Sequence, residues 1–216
     1  LKIYRAGIVG CGWRSTGTYK DAEDSYLSIH PRSHAQGFID CDRTDLVAAS
    51  DFRQESLDRV NRDYGIDHDH LYTDFHDMIE KENLDILSIG TQQEQRAAIT
   101  IYAANAGIRA IYAEKPLTSS TEEADSMLEA IEQNEVAFNL GANRRWFPGY
   151  EIVRNLANSG KYGALKTIIT YNMNPIFISG RCAQIKSEEF AMTYGEIQPD
   201  TLQKLELGYP AIGGEI

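Results

Sequence analysis

The stretch that decides the fold is Gly7-Ile8-Val9-Gly10-Cys11-Gly12-Trp13-Arg14-Ser15, which continues an apolar run that begins at residue 3. We interpret residues 3–9 as a first β-strand that leads directly into a glycine loop. In this G-x-G-x-x-S pattern Gly10 permits a tight turn, Gly12 lets the backbone approach a diphosphate, and small Ser15 lets the next helix pack closely. A strand-to-helix turn without a ligand is the alternative. The candidate dinucleotide-binding residues of the loop are Gly10, Cys11, Gly12, Trp13, Arg14 and Ser15.

Strand and helix patterns alternate along the chain after this loop. Leu57, Val60 and Tyr64 recur at helical spacing, for example, and Gly65 follows them as a stop. Alternation of this kind predicts an α/β fold with a Rossmann-type, doubly wound parallel sheet. Four further short apolar runs have the composition of strands buried on both faces of such a sheet: residues 46–50, 85–90, 109–113 and 136–141.

The pattern changes near residue 144, and we predict a dinucleotide-binding domain over residues 1–143. Pro148 opens a helix, and residues 165–172 alternate as an antiparallel strand does. We interpret residues 144–216 as the beginning of an α+β second domain. A single strand cannot form a sheet, so we expect this domain to be partial.

Composition excludes several classes of protein. The 216 residues contain 21 Lys+Arg against 32 Asp+Glu, a net charge of −11 that argues against a nucleic-acid partner. No apolar run is long enough to span a membrane, and three widely spaced cysteines indicate reduced thiols in a cytoplasm. The run Asp67-His68-Asp69-His70 is more typical of a solvated turn than of a metal site, and we expect no metal.

An acidic residue stands where the glycine pattern requires one. Asp51 ends the second predicted strand, where a carboxylate would accept hydrogen bonds from an adenine ribose and repel a 2′-phosphate. A helix N-cap is the alternative role. Asp51 favours NAD, although Arg53 could neutralise the phosphate of NADP. The interval from Gly12 is 39 residues instead of about 20, because residues 16–33 form an insertion that is either a lid or a surface loop.

Six motifs in a common order resemble the glucose–fructose oxidoreductase / inositol dehydrogenase / MocA (Gfo/Idh/MocA) family. The most specific is Glu114-Lys115-Pro116 after the fourth predicted strand. The resemblance runs from about residue 3 to residue 172. The other five motifs are His34-Ala35, Thr73-Asp74-Phe75, Ser88-Ile89-Gly90-Thr91, Asn143-Arg144-Arg145-Trp146-Phe147-Pro148 and Gly160-Lys161-Tyr162-Gly163.

The resemblance implies an oxidoreductase that moves a hydride between the nicotinamide of NAD or NADP and a sugar, polyol or related hydroxy-substrate. It places Lys115 beside the nicotinamide as a catalytic residue, with Glu114 near the nicotinamide ribose or holding Lys115. It also implies cofactor contacts from Thr91 and Gln92 and a domain junction lined by Asn143 and Arg145. Members of the family often form homo-oligomers through the sheet of the second domain.

The sequence departs from the family in two places. The strand before Thr91 usually continues as Thr-Pro-Asn with a His shortly after, whereas here Gln92 and Gln93 follow and no His appears. The family's acid/base His lies in the second domain, whereas the five histidines of this chain all lie at or before His76. We therefore expect a chain truncated before that motif, with a non-catalytic dinucleotide-binding module or partner subunit as the alternative. A methyltransferase, which shares the glycine loop, is the third hypothesis.

Overall fold

The computed structural model describes residues 1–17 and 33–169 of the chain. Six parallel strands form one sheet within these residues, in the order β3-β2-β1-β4-β5-β6. This is the doubly wound order, and it reverses between β1 and β4. The predicted fold class is therefore confirmed. The strands are β1 (Tyr4–Val9), β2 (Thr44–Ser50), β3 (Leu71–Tyr72), β4 (Ile86–Ile89), β5 (Ala110–Ala113) and β6 (Ala137–Leu140).

Helices connect the strands, and their ends follow ordinary capping chemistry. At the start of the helix that begins at Thr121, the Ser120 hydroxyl accepts a hydrogen bond from the Glu123 amide, and the Glu123 carboxylate accepts one from the Ser119 amide. Gly65 ends its helix with φ of +72°, a conformation that favours glycine. The helices are α1 (Trp13–Thr16), α2 (His34–Ile39), α3 (Gln54–Tyr64), α4 (Phe75–Lys81), α5 (Gln93–Asn105), α6 (Thr121–Gln133) and α7 (Pro148–Asn158).

The core forms around the central strands, as the apolar runs predict. The larger of two apolar clusters includes Leu87, Ile111 and Met127, and the smaller includes Leu57 and Val60. Burying these side chains is the main favourable term in folding. In α6 the helical spacing of Ala124, Met127, Leu128 and Ile131 predicts one buried stripe, but Leu128 is exposed and Ala130 is buried instead.

Strand β3 has no counterpart among the five predicted strands. It contains two residues, too few to show a periodicity. Its Tyr72 carbonyl nevertheless accepts a hydrogen bond from the Asp51 amide and so holds the end of β2. The histidine run before it forms a short 3-10 turn (His68–His70), in which His70 pairs with the buried Glu82 carboxylate.

The second predicted domain is described only up to residue 169. Helix α7 begins at Pro148 as predicted, and its Ile152 and Val153 are exposed. The predicted strand over residues 165–172 is not formed in its described part, residues 165–169, and residues 170–172 lie outside the described residues. Most of the insertion, residues 18–32, lies outside them as well. No helix within the described ranges is long and apolar enough to cross a membrane.

Candidate functional site

Five strand ends lie in register and bring the candidate residues into one line. The paired residues are Ser50, Val9, Ile89, Ala113 and Leu140. Backbone amides extend the pairing by one residue, since Gly10 N donates to Ser50 O at 2.8 Å and Glu114 N donates to Ile89 O at 2.9 Å. We call the residues that follow the strands the carboxyl-end row, which reads from β2 to β6 as Asp51, Gly10, Gly90, Glu114 and Gly141.

The carboxyl-end row places one acid on each side of a glycine pair. Asp51 and Glu114 are three strand spacings apart, about 14 Å between their backbones at about 4.8 Å per spacing. Gly10 and Gly90 lie between them, at the point where the strand order reverses. Ligands of doubly wound sheets bind outside the carboxyl ends of the strands at this point.

The two glycines of the loop have the separate uses that the sequence predicts. Gly10 has φ of +86°, and a Cβ there would lie 2.8 Å from the amide nitrogen of Thr91. Gly12 has an ordinary φ of −71°, and a Cβ there would meet no atom within 4 Å. Gly10 is therefore required by the turn, whereas Gly12 leaves open space into which a ligand can approach the backbone.

Ser15 packs the loop against β4. Its side chain is fully buried, and a Cβ on Gly90 would lie 1.8 Å from its Oγ atom. The Ser15 hydroxyl has no hydrogen-bond partner in the part of the chain that the structure describes. Ser15 thus serves the close packing predicted for the third small position and presents no surface to a ligand.

Side chains from β2 and α3 hold the backbone of Cys11. The Cys11 amide donates to Asp51 Oδ2 at 2.8 Å, and its carbonyl accepts hydrogen bonds from the Arg59 guanidinium and from Thr16 Oγ1. Tyr64 Oη donates to the Thr16 carbonyl at 3.0 Å. Burial, together with the Asp51 charge, raises the pKa of the Cys11 thiol far above its usual range. Cys11 is therefore a protonated, space-filling thiol and not a reactive one.

Asp51 has a more enclosed environment than an N-cap residue. Its side chain is 4% exposed and accepts hydrogen bonds from the Arg53 amide at 2.9 Å and from Arg53 Nε at 3.3 Å. The N-cap of α3 is Arg53, so the alternative of a helix cap is wrong for Asp51. The Arg53 guanidinium also lies over the exposed Phe52 ring, 5.3 Å from its centroid.

A cleft of about 790 Å³ runs along the ends of β2, β1 and β4. Its size lies within the range of small-molecule and cofactor sites. The predicted residues Gly10, Gly12, Asp51, Arg53, Thr91 and Gln92 line it together. The other lining residues were not predicted as site residues, and they include Phe52, Thr73, Asp74, Phe75, Glu94, Gln95, Ala98 and Ile99.

A hydrogen-bond network surrounds Glu114 on the other side of the row. His34 Nε2 lies 3.2 Å from Glu114 Oε1, and Ser88 Oγ lies 2.7 Å from His34 Nδ1. The Lys115 amide donates to Glu114 Oε2 at 3.2 Å. Burial raises the pKa of Glu114, but the hydrogen bond and the charge of His34, the charge of Arg14 and the Lys115 amide outweigh it, so the net pKa is lowered and Glu114 is ionised.

A match to a known family completes the geometric evidence. The model of the Gfo/Idh/MocA family, described as an oxidoreductase family with an NAD-binding Rossmann fold, matches residues 4–142. The chain belongs to this family.

Relatives in the family include sugar and polyol dehydrogenases. The chain is 28% identical to D-apiose dehydrogenase from Paraburkholderia graminis over 76% of this chain and 38% of that protein. It is 26% identical to myo-inositol 2-dehydrogenase from Thermotoga maritima over 60% of this chain and 38% of that protein. The chain thus spans about two fifths of the length of these curated relatives.

Solved structures of family members share the fold. Myo-inositol 2-dehydrogenase from Lactobacillus plantarum has a TM-score of 0.61 and 27% identity, over 75% of this chain and 43% of that chain. Scyllo-inositol dehydrogenase from Lactobacillus casei, solved with NAD(H) and scyllo-inositol, has a TM-score of 0.62 and 25% identity over the same shares.

The Glu114-Lys115-Pro116 motif of the family lies next to the cleft-lining residues of β4. Lys115 is exposed, and its ammonium has no hydrogen bond or ion pair to any residue that the structure describes. Arg96, which is 5% exposed, donates to the Thr91 carbonyl at 2.6 Å and also to the Pro116 carbonyl. Arg96 therefore ties the loop after β4 to the loop after β5.

The remaining family candidates lie at the edges of the site. Arg14 is exposed in α1, near enough to Glu114 for its charge to lower the pKa of that carboxyl. Asn143 belongs to a 3-10 turn (Asn143–Trp146) that follows β6. Arg145 is exposed and lies over the Trp146 ring, 5.1 Å from its centroid. The described residues do not bring Arg145 together with the cleft.

Contacts of the site that are absent from the sequence prediction include the Arg59 and Arg96 hydrogen bonds and the link from His34 to Glu114. His34 stands in one of the motifs quoted above, but nothing in the motif indicates its partner. No signal in a single sequence pairs residues 80 positions apart.

The described residues fit a nicotinamide dinucleotide. The open space at Gly12 admits a diphosphate close to the backbone, and the cleft reaches from Phe52 to Gln92. Two acids, Asp51 and Glu114, stand in the carboxyl-end row on either side of the glycine pair. A mononucleotide would use only one of the two acids.

Proposed function

We propose that this chain is the dinucleotide-binding part of an NAD-dependent oxidoreductase that acts on a sugar, polyol or related hydroxy-substrate. The observation that carries the proposal is the carboxyl-end row, in which Asp51 and Glu114 flank the glycine pair in register. NAD, when bound, supplies the hydride acceptor. The chain's own residues bind the two riboses and orient the substrate oxygen.

The adenosine half of the site favours NAD over NADP. The Asp51 carboxylate would accept hydrogen bonds from a ribose diol and repel a 2′-phosphate. The Arg53 guanidinium is engaged with Asp51 at 3.3 Å, so its charge is already partly neutralised. The 2′-phosphate of NADP would have to displace this ion pair.

A binding comparison tests the cofactor assignment. We expect NADH to bind at least tenfold more tightly than NADPH, as measured by fluorescence titration. Asp51→Ala should weaken NADH binding by about 2 kcal/mol, because it removes the ribose acceptor and frees the Cys11 amide. Asp45→Ala, an exposed acid on the same strand, is the control and should bind NADH normally. Equal binding of NADH and NADPH by the wild-type chain would contradict the assignment.

Lys115 is the residue proposed to act in the chemical step. Its exposed ammonium follows β5 directly, next to Glu114. Beside a nicotinamide it would donate a hydrogen bond to the substrate hydroxyl and stabilise the negative charge that develops on that oxygen. Thr91 and Gln92, which follow β4, line the cleft, whereas Lys115 is not among its lining residues and follows the neighbouring strand β5. Asn143 and Arg145 are proposed to line the substrate side, since they follow β6.

Turnover assays test the substrate class. D-apiose, myo-inositol and scyllo-inositol are the first candidates, because relatives are named for them or were solved with one of them. NADH formation at 340 nm should be lowered at least a hundredfold in Lys115→Met, with NADH affinity retained. Lys81→Met, an exposed lysine on α4, is the control. In a chain proven to be full length, firm NADH binding without turnover of any polyol or sugar would favour the non-catalytic module instead.

The proposed setting is a reducing cytoplasm. Cys11 and Cys41 are free thiols, and their positions, one buried and one exposed, do not form a disulfide. We further propose that the protein acts on small molecules alone, with no nucleic acid or membrane as partner, and that copies of it associate.

A further inference from the structure

His34 occupies a buried position between two strands of the nicotinamide side. It begins α2, its side chain is 9% exposed, and it reaches Ser88 on β4 and Glu114 after β5. The ring of Tyr112 packs edge-on against it, with centroids 4.9 Å apart. The imidazole is therefore fixed from three directions.

The chemistry of the partners assigns the protons in this network. Glu114 is ionised, and an ionised carboxylate only accepts hydrogen bonds. His34 Nε2 must then carry a hydrogen and donate it to Oε1. In a neutral ring this leaves Nδ1 as an acceptor, which the Ser88 hydroxyl satisfies at 2.7 Å. Ser88 can also accept a hydrogen bond from Nδ1 of a protonated ring, so in either state it holds the ring with Nε2 toward the carboxylate.

The network orients Glu114, and its serine is too deeply buried to act as a nucleophile. Ser88 is 0% exposed, so its hydroxyl cannot reach a substrate. Glu114 receives one hydrogen bond on each oxygen, from His34 and from the Lys115 amide. Each carboxylate oxygen has a further lone pair for a ligand. Gly141 packs closely against this network, because a Cβ there would lie 3.3 Å from Glu114 Oε1 and 3.0 Å from the Tyr112 hydroxyl.

We propose that His34 is a positioning residue that, through Glu114, fixes the acceptor for the nicotinamide-side ribose. This inference rests on the proposed function, since it concerns the same dinucleotide site. It goes beyond that function by assigning a role to a residue on α2 that does not line the cleft. It also states which part of the ligand depends on that residue.

Three ligands, each larger than the last by one group, show which part of the dinucleotide depends on His34. ADP contains the adenosine half and the diphosphate, ADP-ribose adds the second ribose, and NADH adds the nicotinamide. We expect wild-type protein to bind ADP-ribose more tightly than ADP by calorimetry. His34→Leu should lose about tenfold in affinity for ADP-ribose and NADH and should bind ADP as the wild type does. A purely structural role for His34 would weaken all three ligands alike.

Two further variants keep the experiment decisive. His34→Gln retains an N–H donor for Glu114 and should recover part of the ADP-ribose affinity, and it remains informative if His34→Leu does not fold. His68→Leu removes an exposed histidine from the 3-10 turn and should change none of the affinities.

The outcomes separate the inference from the function on which it rests. Wild-type protein that binds neither ADP-ribose nor NADH would overturn both. Wild-type protein that binds both, with His34→Leu binding ADP-ribose equally well or losing ADP equally, would overturn the positioning role alone. No gain from ADP to ADP-ribose in the wild type would overturn it too, since Glu114 would then have no ribose to bind.

Discussion

The glycine loop and the loop that contains Glu114, Lys115 and Pro116 are held in place by different means. Each receives hydrogen bonds from an arginine guanidinium, from Arg59 in the first case and Arg96 in the second. The glycine loop is fixed in addition by its own backbone, through the positive φ of Gly10. The second loop depends on side chains from α2 and α5, which lie far away in the sequence.

This difference indicates how each loop should fail. A loop fixed by its backbone is sensitive to an added methyl group, because no rotamer change relieves a strained φ. A loop fixed by buried side chains is sensitive to their removal, because the carbonyls that they satisfy lose their partners. The predictions below test the two modes in order of expected effect.

The largest effect should come from adding a methyl group at Gly10. Gly10→Ala is expected to lower the free energy of unfolding by about 3 kcal/mol, because Ala is strained at φ of +86° and its Cβ would meet backbone at 2.8 Å. Urea denaturation followed by circular dichroism measures the loss.

Gly12→Ala is the matched control for this prediction. Space at Gly12 is open and φ is ordinary, so stability should change by less than about 0.5 kcal/mol. NADH affinity should nevertheless fall, because the methyl group occupies the approach to the backbone. If the Gly10→Ala protein were as stable as the Gly12→Ala protein, the positive φ of Gly10 would not be what fixes the glycine loop.

The sequence was sufficient to predict the backbone-fixed loop. A strand that ends in G-x-G-x-x-S predicts a turn, a close approach and a small packing residue, and the structure has the turn at Gly10, open space at Gly12 and close packing at Ser15. Asp51 was also predictable in position, because the residue after a parallel strand must lie at the same edge of the sheet. Its hydrogen bond to the Cys11 amide was not.

The sequence could not reveal the side-chain-fixed loop in the same way. Glu114 and Lys115 stand out as a motif, but their supports come from His34 and Arg96. These contacts arise only when the folded sheet brings His34 of α2 and Arg96 of α5 to the residues that follow β5. The predicted strand over residues 165–172 shows the opposite case. Its alternating pattern does not produce a strand over residues 165–169, because no neighbouring strand among the described residues pairs with it.

Removing each arginine compares the two supports directly. Arg96→Met should lower the free energy of unfolding by about 2 kcal/mol, because Arg96 is buried and bonds two carbonyls. Arg59→Met should cost about 1 kcal/mol, because Thr16 still donates to the Cys11 carbonyl. Arg62→Met, exposed on α3, should be neutral. A larger loss in Arg59→Met than in Arg96→Met would reverse the argument.

The smallest effect concerns the charge on Glu114. Its pKa in the folded protein lies below the ordinary value of 4.5, so the folded state binds its proton less tightly than the unfolded state does. Glu114 therefore contributes stability above pH 4.5, and this contribution is lost as the pH falls through the folded pKa. Between about pH 5 and 7 the carboxyl stays ionised, so its contribution to the free energy of unfolding should not change.

Urea denaturation of the wild type and Glu114→Gln at several pH values isolates this contribution from that of the other acids. Asp85, whose pKa is lowered to about 2 by the Lys2 hydrogen bond and further contacts, shifts both proteins alike. The difference between the two proteins should be constant from about pH 7 to 5 and shrink below 4.5. A difference that grows on acidification would mean that Glu114 is neutral in the folded protein, and the proton assignment of His34 would then be wrong.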